Sequence, residues 1–211
     1  MMQFVSFPDL QPATPDQAPL TSQLIYLSMK TTADYLFGMG NPQQGLQALE
    51  SLFRMKSNRF SYQFTQIVFI ESLLAGLVVA YPGKLIKSFE LPMAWHLLKI
   101  RGLKGFLHFF MRALPLAGIK EAEDDEYFIS NLAVLPEQQG RGLGCHILKQ
   151  TEKMAAKLGF KKISLTVDVD NDRARKLYER FGFTPVKKVF IESFHRRIGY
   201  AGFYRMRKEL V

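Results

Sequence analysis

A chain of 211 residues suits one domain, with or without an insertion, and 47% apolar residues allow a real core. A single cysteine, Cys145, excludes an intramolecular disulfide framework and fits a reducing compartment. The net charge of +9 fits a polyanionic ligand, an anionic surface or nucleic acid, and equally a solvated basic face.

The opening "MMQFVSFPDLQPATPDQ" has no basic region followed by an apolar run, so no signal peptide is expected. "FVSF" reads as a short strand and "LQPATPDQAP" as a turn with two prolines. "LTSQLIYLSMKTTADYLFG" has helical spacing to near Gly38. Asn41 caps a second helix with Pro42 at its first position. "FTQIVFIESLLAGLVVAYPG" reads as a β-hairpin turning near Glu71 and Ser72. It is too short and too interrupted to span a bilayer.

Residues 84–119 carry six Lys/Arg and one acid among Leu, Phe and Met. They read as two or three short helices broken at Pro92, Gly102 and Pro115. "EAEDDE" follows as an acidic loop. Residues 127–135 form a strand, and "KKISLTVDV" forms the next. "NDRARKLYERFGF" is a helix entered through Asn171 and closed near Gly182. "TPVKKVFIES" and "AGFYRMRKEL" are two last strands around the loop "FHRRIGY". No repeat and no low-complexity tract is present.

Between the strand at 127–135 and the helix after it stand Gly140, Gly142 and Gly144. A strand, alternating glycines and a helix start make an anion site of outward-pointing N–H groups. A phosphate or pyrophosphate ligand is therefore one reading, and a plain tight turn capping a core helix is the other. The P-loop pattern Gly-x4-Gly-Lys-Ser/Thr is absent. A dinucleotide fingerprint would place a glycine where Cys145 stands, and too little chain follows to build a doubly wound sheet.

Gln139, Gly142 and Gly144 do fit Gln-x-x-Gly-x-Gly. Here the chain resembles the GCN5-related N-acetyltransferases, the GNAT family. Asn171, Ala174, Leu177, Tyr178, Gly182 and Phe183 match that family's second signature, Asn-x-x-Ala-x-x-Leu-Tyr-x-x-x-Gly-Phe. The resemblance is good over residues 127–186, fair over the first 80 residues and absent over 84–123. It implies one mixed α/β domain, a splayed mixed sheet flanked by helices, with a helical insertion at about 84–123 between the third and fourth strands.

The resemblance further implies an acetyl-CoA-dependent N-acetyltransferase in which a primary amine attacks the thioester directly. Alternatives are transfer of a longer acyl group and a non-catalytic coenzyme A-binding regulatory protein. Backbone of Leu132, Ala133 and Val134 would meet the pantetheine arm and polarise the thioester carbonyl. Gln139, Gly140, Arg141, Gly142, Leu143, Gly144 and Cys145 would hold the pyrophosphate, Asn171 would hydrogen-bond the pantetheine or its surroundings, and Ala174 would also meet the coenzyme. Tyr178 would protonate the leaving thiolate. Thr166 stands where some relatives carry a glutamate base, so Asp168, Glu126 or water relayed through Ser130 is the candidate base. Cys145 lacks a His–Asn partner pattern and is not expected to be a nucleophile. His146 could neighbour the phosphates, and His195 could line a substrate mouth.

The insertion would border the acceptor side of the cleft as a packed cap, form a homodimer contact, or lie on an anionic membrane. Neither a metal nor a nucleic-acid partner is expected. The expected compartment is the cytoplasm.

Overall fold

Alternating apolar residues in the middle of the chain build the sheet. In strand β3, Leu73–Pro82, Leu77, Val79 and Tyr81 join the core on one face, and Val78 and Ala80 join the core on the other. Period-two alternation with both faces apolar is what a strand covered on both sides requires. The computed structural model describes residues 7–210.

Among the described residues the seven strands are β1 (Gln11–Pro12), β2 (Thr65–Ile70), β3, β4 (Tyr127–Val134), β5 (Lys162–Asp168), β6 (Thr184–Phe190) and β7 (Gly202–Glu209). Their order in one sheet is β1-β2-β3-β4-β5-β7-β6. Only β4 and β5 run parallel, and the other neighbours are antiparallel. The expected strand "FVSF" lies almost wholly outside the described residues. The first pairing comes instead from Gln11–Pro12, which had read as turn. Two residues are too few for a strand pattern to register.

The β2–β3 hairpin turns at Glu71 and Ser72, both at positive φ, 49° and 67°. Such a two-residue turn matches the twist of the flanking strands. Helix α1, Ala18–Met29, was expected to run on to Gly38. It stops at Lys30, whose φ of 43° breaks the path. A short helix α2, Thr31–Ala33, then opens into a π-helical turn at Asp34–Gly38. Helix α3, Pro42–Arg54, begins as expected, with the Asn41 side chain accepting from the Gln43 N–H at 2.9 Å.

The insertion falls between β3 and β4. It forms α4 (Leu85–Ser88), α5 (Glu90–Ala113) and a 3₁₀ turn at Leu114–Leu116. Pro92 does not break it, because it sits in the first turn of α5, where proline costs no helical hydrogen bond. Gly102, at φ 63° and ψ −175°, does interrupt the helix. The inner side of α5 packs on α3 and the π turn. Phe109 stacks on Phe37 at 5.2 Å, and Arg112 Nη1 donates to the Tyr35 carbonyl at 2.9 Å.

Helix α6, Leu143–Lys157, and α7, Asp172–Arg180, cover the opposite face. The segment expected as a loop after β6 contains a helix, α8, Glu192–Ile198. An i,i+4 pair of Glu192 with Arg196, Gly199 at φ 72° and burial of Phe194 against Tyr35 explain it. These local signals are real but short, and strand patterns on both sides overshadow them.

The acidic loop before β4 is not simply solvated. Glu126 is fully buried, and Arg205 Nη2 donates to its Oε1 and Oε2 at 2.9 and 3.0 Å. Arg205 also reaches Glu123 at 2.7 Å, and Arg59 pairs with Glu121. Removing one partner of a buried pair typically costs about 3–5 kcal/mol. Arg205→Met is therefore expected to lower the thermal midpoint by roughly 10 °C, with Glu126→Gln/Arg205→Met recovering part of the loss. A calorimetric midpoint of Arg205→Met within two or so degrees of wild type would exclude the pair as a structural anchor.

Candidate active site

Strand β4 pairs with β3 along its whole length, from Tyr127 opposite Pro82 to Val134 opposite Gly76. Its pairing with β5 ends early. Only Tyr127, Phe128 and Ile129 meet Ile163, Ser164 and Leu165. Beyond that point β5 stays with β7 as far as Asp168 opposite Phe203, so the sheet splits. The register shift in β4 between Ile129 and Asn131 leaves Ser130 as an extra residue at the split. A bulge of this kind bends a strand and ends pairing. Asn131 Nδ2 donates to Ser28 Oγ at 2.9 Å, which ties the C-terminal end of α1 over the diverging strand.

The split opens into a cleft of about 870 Å³. One wall is Leu132, Ala133 and Val134. Its mouth is Gln139, Gly140, Gly142, Gly144 and Cys145. The far wall holds Asp168, Asn171, Ala174 and Tyr178. Residues expected from three separate stretches of sequence are thus brought to one place.

The glycine loop has the geometry of an anion cradle. Gly140 and Gly142 stand at φ 79° and 91°, a region that side-chain-bearing residues rarely adopt. Among the described residues, the N–H groups of residues 140–145 find no backbone acceptor. They lie at the start of α6, where the helix dipole favours negative charge. Gln139 braces the loop. Its Nε2 donates to the Val134 carbonyl at 3.0 Å, and its Oε1 accepts from Arg173 at 2.9 Å.

Several expected contacts are placed elsewhere. Leu143 is buried in the core, and Arg141 turns to Gln138 rather than lining the cleft. Asn171 does line the cleft, and its side-chain oxygen also caps α7 by accepting from the Ala174 N–H at 3.1 Å. Glu126 does not reach the cleft. His146 meets the Pro8 carbonyl at 2.9 Å, and His195 lies against Phe190 outside the cleft. None of residues 84–119 lines the cleft, so the insertion packs behind it, on α3 and the π turn.

Tyr178 is 8% exposed, and its ring meets Phe183 edge-on at 6.0 Å. Burial, and then the charge of Asp168, pushes its phenol up to about 12. It therefore stays protonated at neutral pH. Burial also raises the Asp168 carboxyl, while a hydrogen bond from Tyr200 Oη at 2.9 Å opposes the rise.

Tyr200 and the lip formed by Leu27, Ser28, Met29 and Lys30 were not anticipated. The lip exists because α1 breaks at Lys30, and "LSMKTTADY" contains no glycine or proline to announce that break. In the late loop His195 had drawn attention, whereas Tyr200, five residues on, is the one that arrives.

The profile of the acetyltransferase (GNAT) family matches residues 101–183. Mycothiol acetyltransferase of Beutenbergia cavernae is 38% identical over 68 residues, 32% of this chain and 22% of that protein. The chain's matches span 22% to 42% of the curated relatives' own lengths. An N-acetyltransferase structure from Staphylococcus aureus Mu50 superposes with a TM-score of 0.74 at 22% identity, over 95% of this chain and all of that one. The PaiA N-acetyltransferase of Thermoplasma acidophilum, solved in complex with coenzyme A, superposes with a TM-score of 0.58 at 12% identity, over 95% and 98% of the two chains. The family profile thus matches less than half of the chain, over the part that holds the glycine loop and the second signature, and the fold is the one these acetyltransferase structures share.

Proposed function

We propose that this chain is an N-acetyltransferase that uses acetyl-CoA and moves the acetyl group to a primary amine by direct attack. The observation that carries the reading is the split between β4 and β5. It leaves backbone groups of residues 130–134 without a ladder partner on one side, beside a loop of unpaired N–H groups. Unpaired backbone polar groups need partners. An amide-bearing arm ending in a pyrophosphate supplies acceptors and donors for both. The residues present fit that group.

Acetyl-CoA would supply an activated thioester carbonyl and a thiolate leaving group. The backbone at Leu132 and Ala133 would polarise that carbonyl by hydrogen-bond donation where charge develops. Residues 139–145 would hold the phosphates. Tyr178 would give its proton to the leaving sulfur, and burial keeps that proton in place up to about 12. Asp168 would take a proton from the incoming ammonium, which cannot attack while charged. A raised carboxyl is the better base for this, since its affinity for the proton lies closer to neutral. Thr166 lines the same cleft but cannot act as a base.

Acetyl-CoA incubated with a panel of amines, with thiol release as the readout, tests the reading. Amine-dependent release is expected, and release that no amine accelerates would refute amine transfer. The role of Asp168 has its own test in Tyr200→Phe. The Tyr200 hydroxyl stabilises the carboxylate form, so its loss raises the Asp168 pKa further. The acid limb of kcat/KM is expected to move to higher pH by roughly one unit. An unmoved limb would remove Asp168 as the base.

A further inference from the structure

The outer side of the insertion has no work to do in the cleft. Along α4 and α5 the exposed side chains are mostly of two kinds. Lys84, Lys87, Lys99 and Lys104 are cations, and Glu90 is the one exposed acid among residues 84–119. The rest of the face is apolar: Leu91 is 84% exposed, Trp95 58%, Leu103 64% and Met111 63%, with Leu107 and Phe110 beside them. Leu91 and Trp95, at i and i+4, share a side of the segment before Gly102, and Leu103, Leu107 and Met111, again four apart, share a side of the segment after it. Met93, Leu97 and Gly105 are buried on the other side. Large apolar side chains exposed in such numbers along the two segments of α5 mark an interaction surface.

We propose that this face docks the protein on an anionic lipid surface. Charge and chemistry select that occupant. A Leu- and Trp-rich stripe flanked by lysines is the arrangement that lies in a membrane interface, with apolar side chains at the headgroup boundary and cations toward lipid phosphates. The Lys99 ammonium sits over the Trp95 ring at 5.2 Å, an apolar body and a charge presented together. A second copy of the same face would set Lys99 and Lys104 against like charges, on a chain already at +9. Among the described residues no helix is long and apolar enough to cross a membrane, so the contact is peripheral. None of residues 84–119 lines the cleft, so covering the outer side of α5 covers no cleft-lining residue.

Trp95 is the only tryptophan in the chain, so the unmodified protein carries its own probe on this face. The emission of the full chain is expected to shift to the blue when phosphatidylglycerol-containing vesicles are added. Phosphatidylcholine vesicles should have far less effect, and brominated lipid should quench the shifted emission. Lys99→Gln and Lys104→Gln, both exposed, should each weaken partitioning about fivefold. Leu103→Glu/Leu107→Glu should abolish it, with circular dichroism and acetyl-CoA binding as wild type. An emission unmoved by anionic vesicles would overturn the proposal. So would a blue shift that depends on protein concentration without lipid and disappears with sedimentation to a monomer in Leu103→Glu/Leu107→Glu, because the occupant would then be a second copy.

Discussion

Tyr178→Phe is expected to lower turnover by about 10²- to 10⁴-fold while leaving acetyl-CoA affinity nearly unchanged. The ring keeps its edge-on contact with Phe183, so only the hydroxyl is lost. A phenol held at about 12 is a proton donor throughout the neutral range. On the proposed mechanism its removal would make the thiolate leave without a proton, which would cost rate rather than binding. If the variant turned over the true acceptor at the wild-type rate, Tyr178 would be a packing residue only.

Gly142→Asp is expected to weaken acetyl-CoA binding by about 100-fold or more, since a like charge set against a phosphate costs several kcal/mol. The glycine stands at φ 91°, so any side chain there also strains the backbone. Gly142→Ala carries the strain without the charge, and it should lose distinctly less affinity. Equal calorimetric affinities for Gly142→Asp and wild type would remove the loop from the site.

The reach of the sequence differs from element to element. The glycine loop, Asn171 and Tyr178 were legible because the backbone or chemistry at those positions tolerates few residue types. Glu71–Ser72 and Asn41–Pro42 were legible for the same reason, as local turn and cap chemistry. The break at Lys30 was not, because a long-range tie, Asn131 to Ser28, fixes the end of α1. Glu126 looked like a base at a strand start and is instead a buried structural anion. Its partner Arg205 lies 79 residues away, beyond any local pattern. Tyr200 reaches Asp168 only because α8 forms and turns the chain back, so a loop reading could not distinguish it from His195. The insertion could be delimited by composition, but whether it walled the cleft depended on packing against α3 and the π turn.

Amide hydrogen exchange with and without acetyl-CoA tests the central claim most directly, since that claim concerns which backbone groups the split leaves free. Saturating acetyl-CoA should slow exchange at residues 130–134 on the open side of β4 and at residues 140–145 in the glycine loop. The paired stretch Tyr127–Ile129, already bonded to β5, should change little. Stoichiometric binding with protection elsewhere, and none at either of these two segments, would contradict the account.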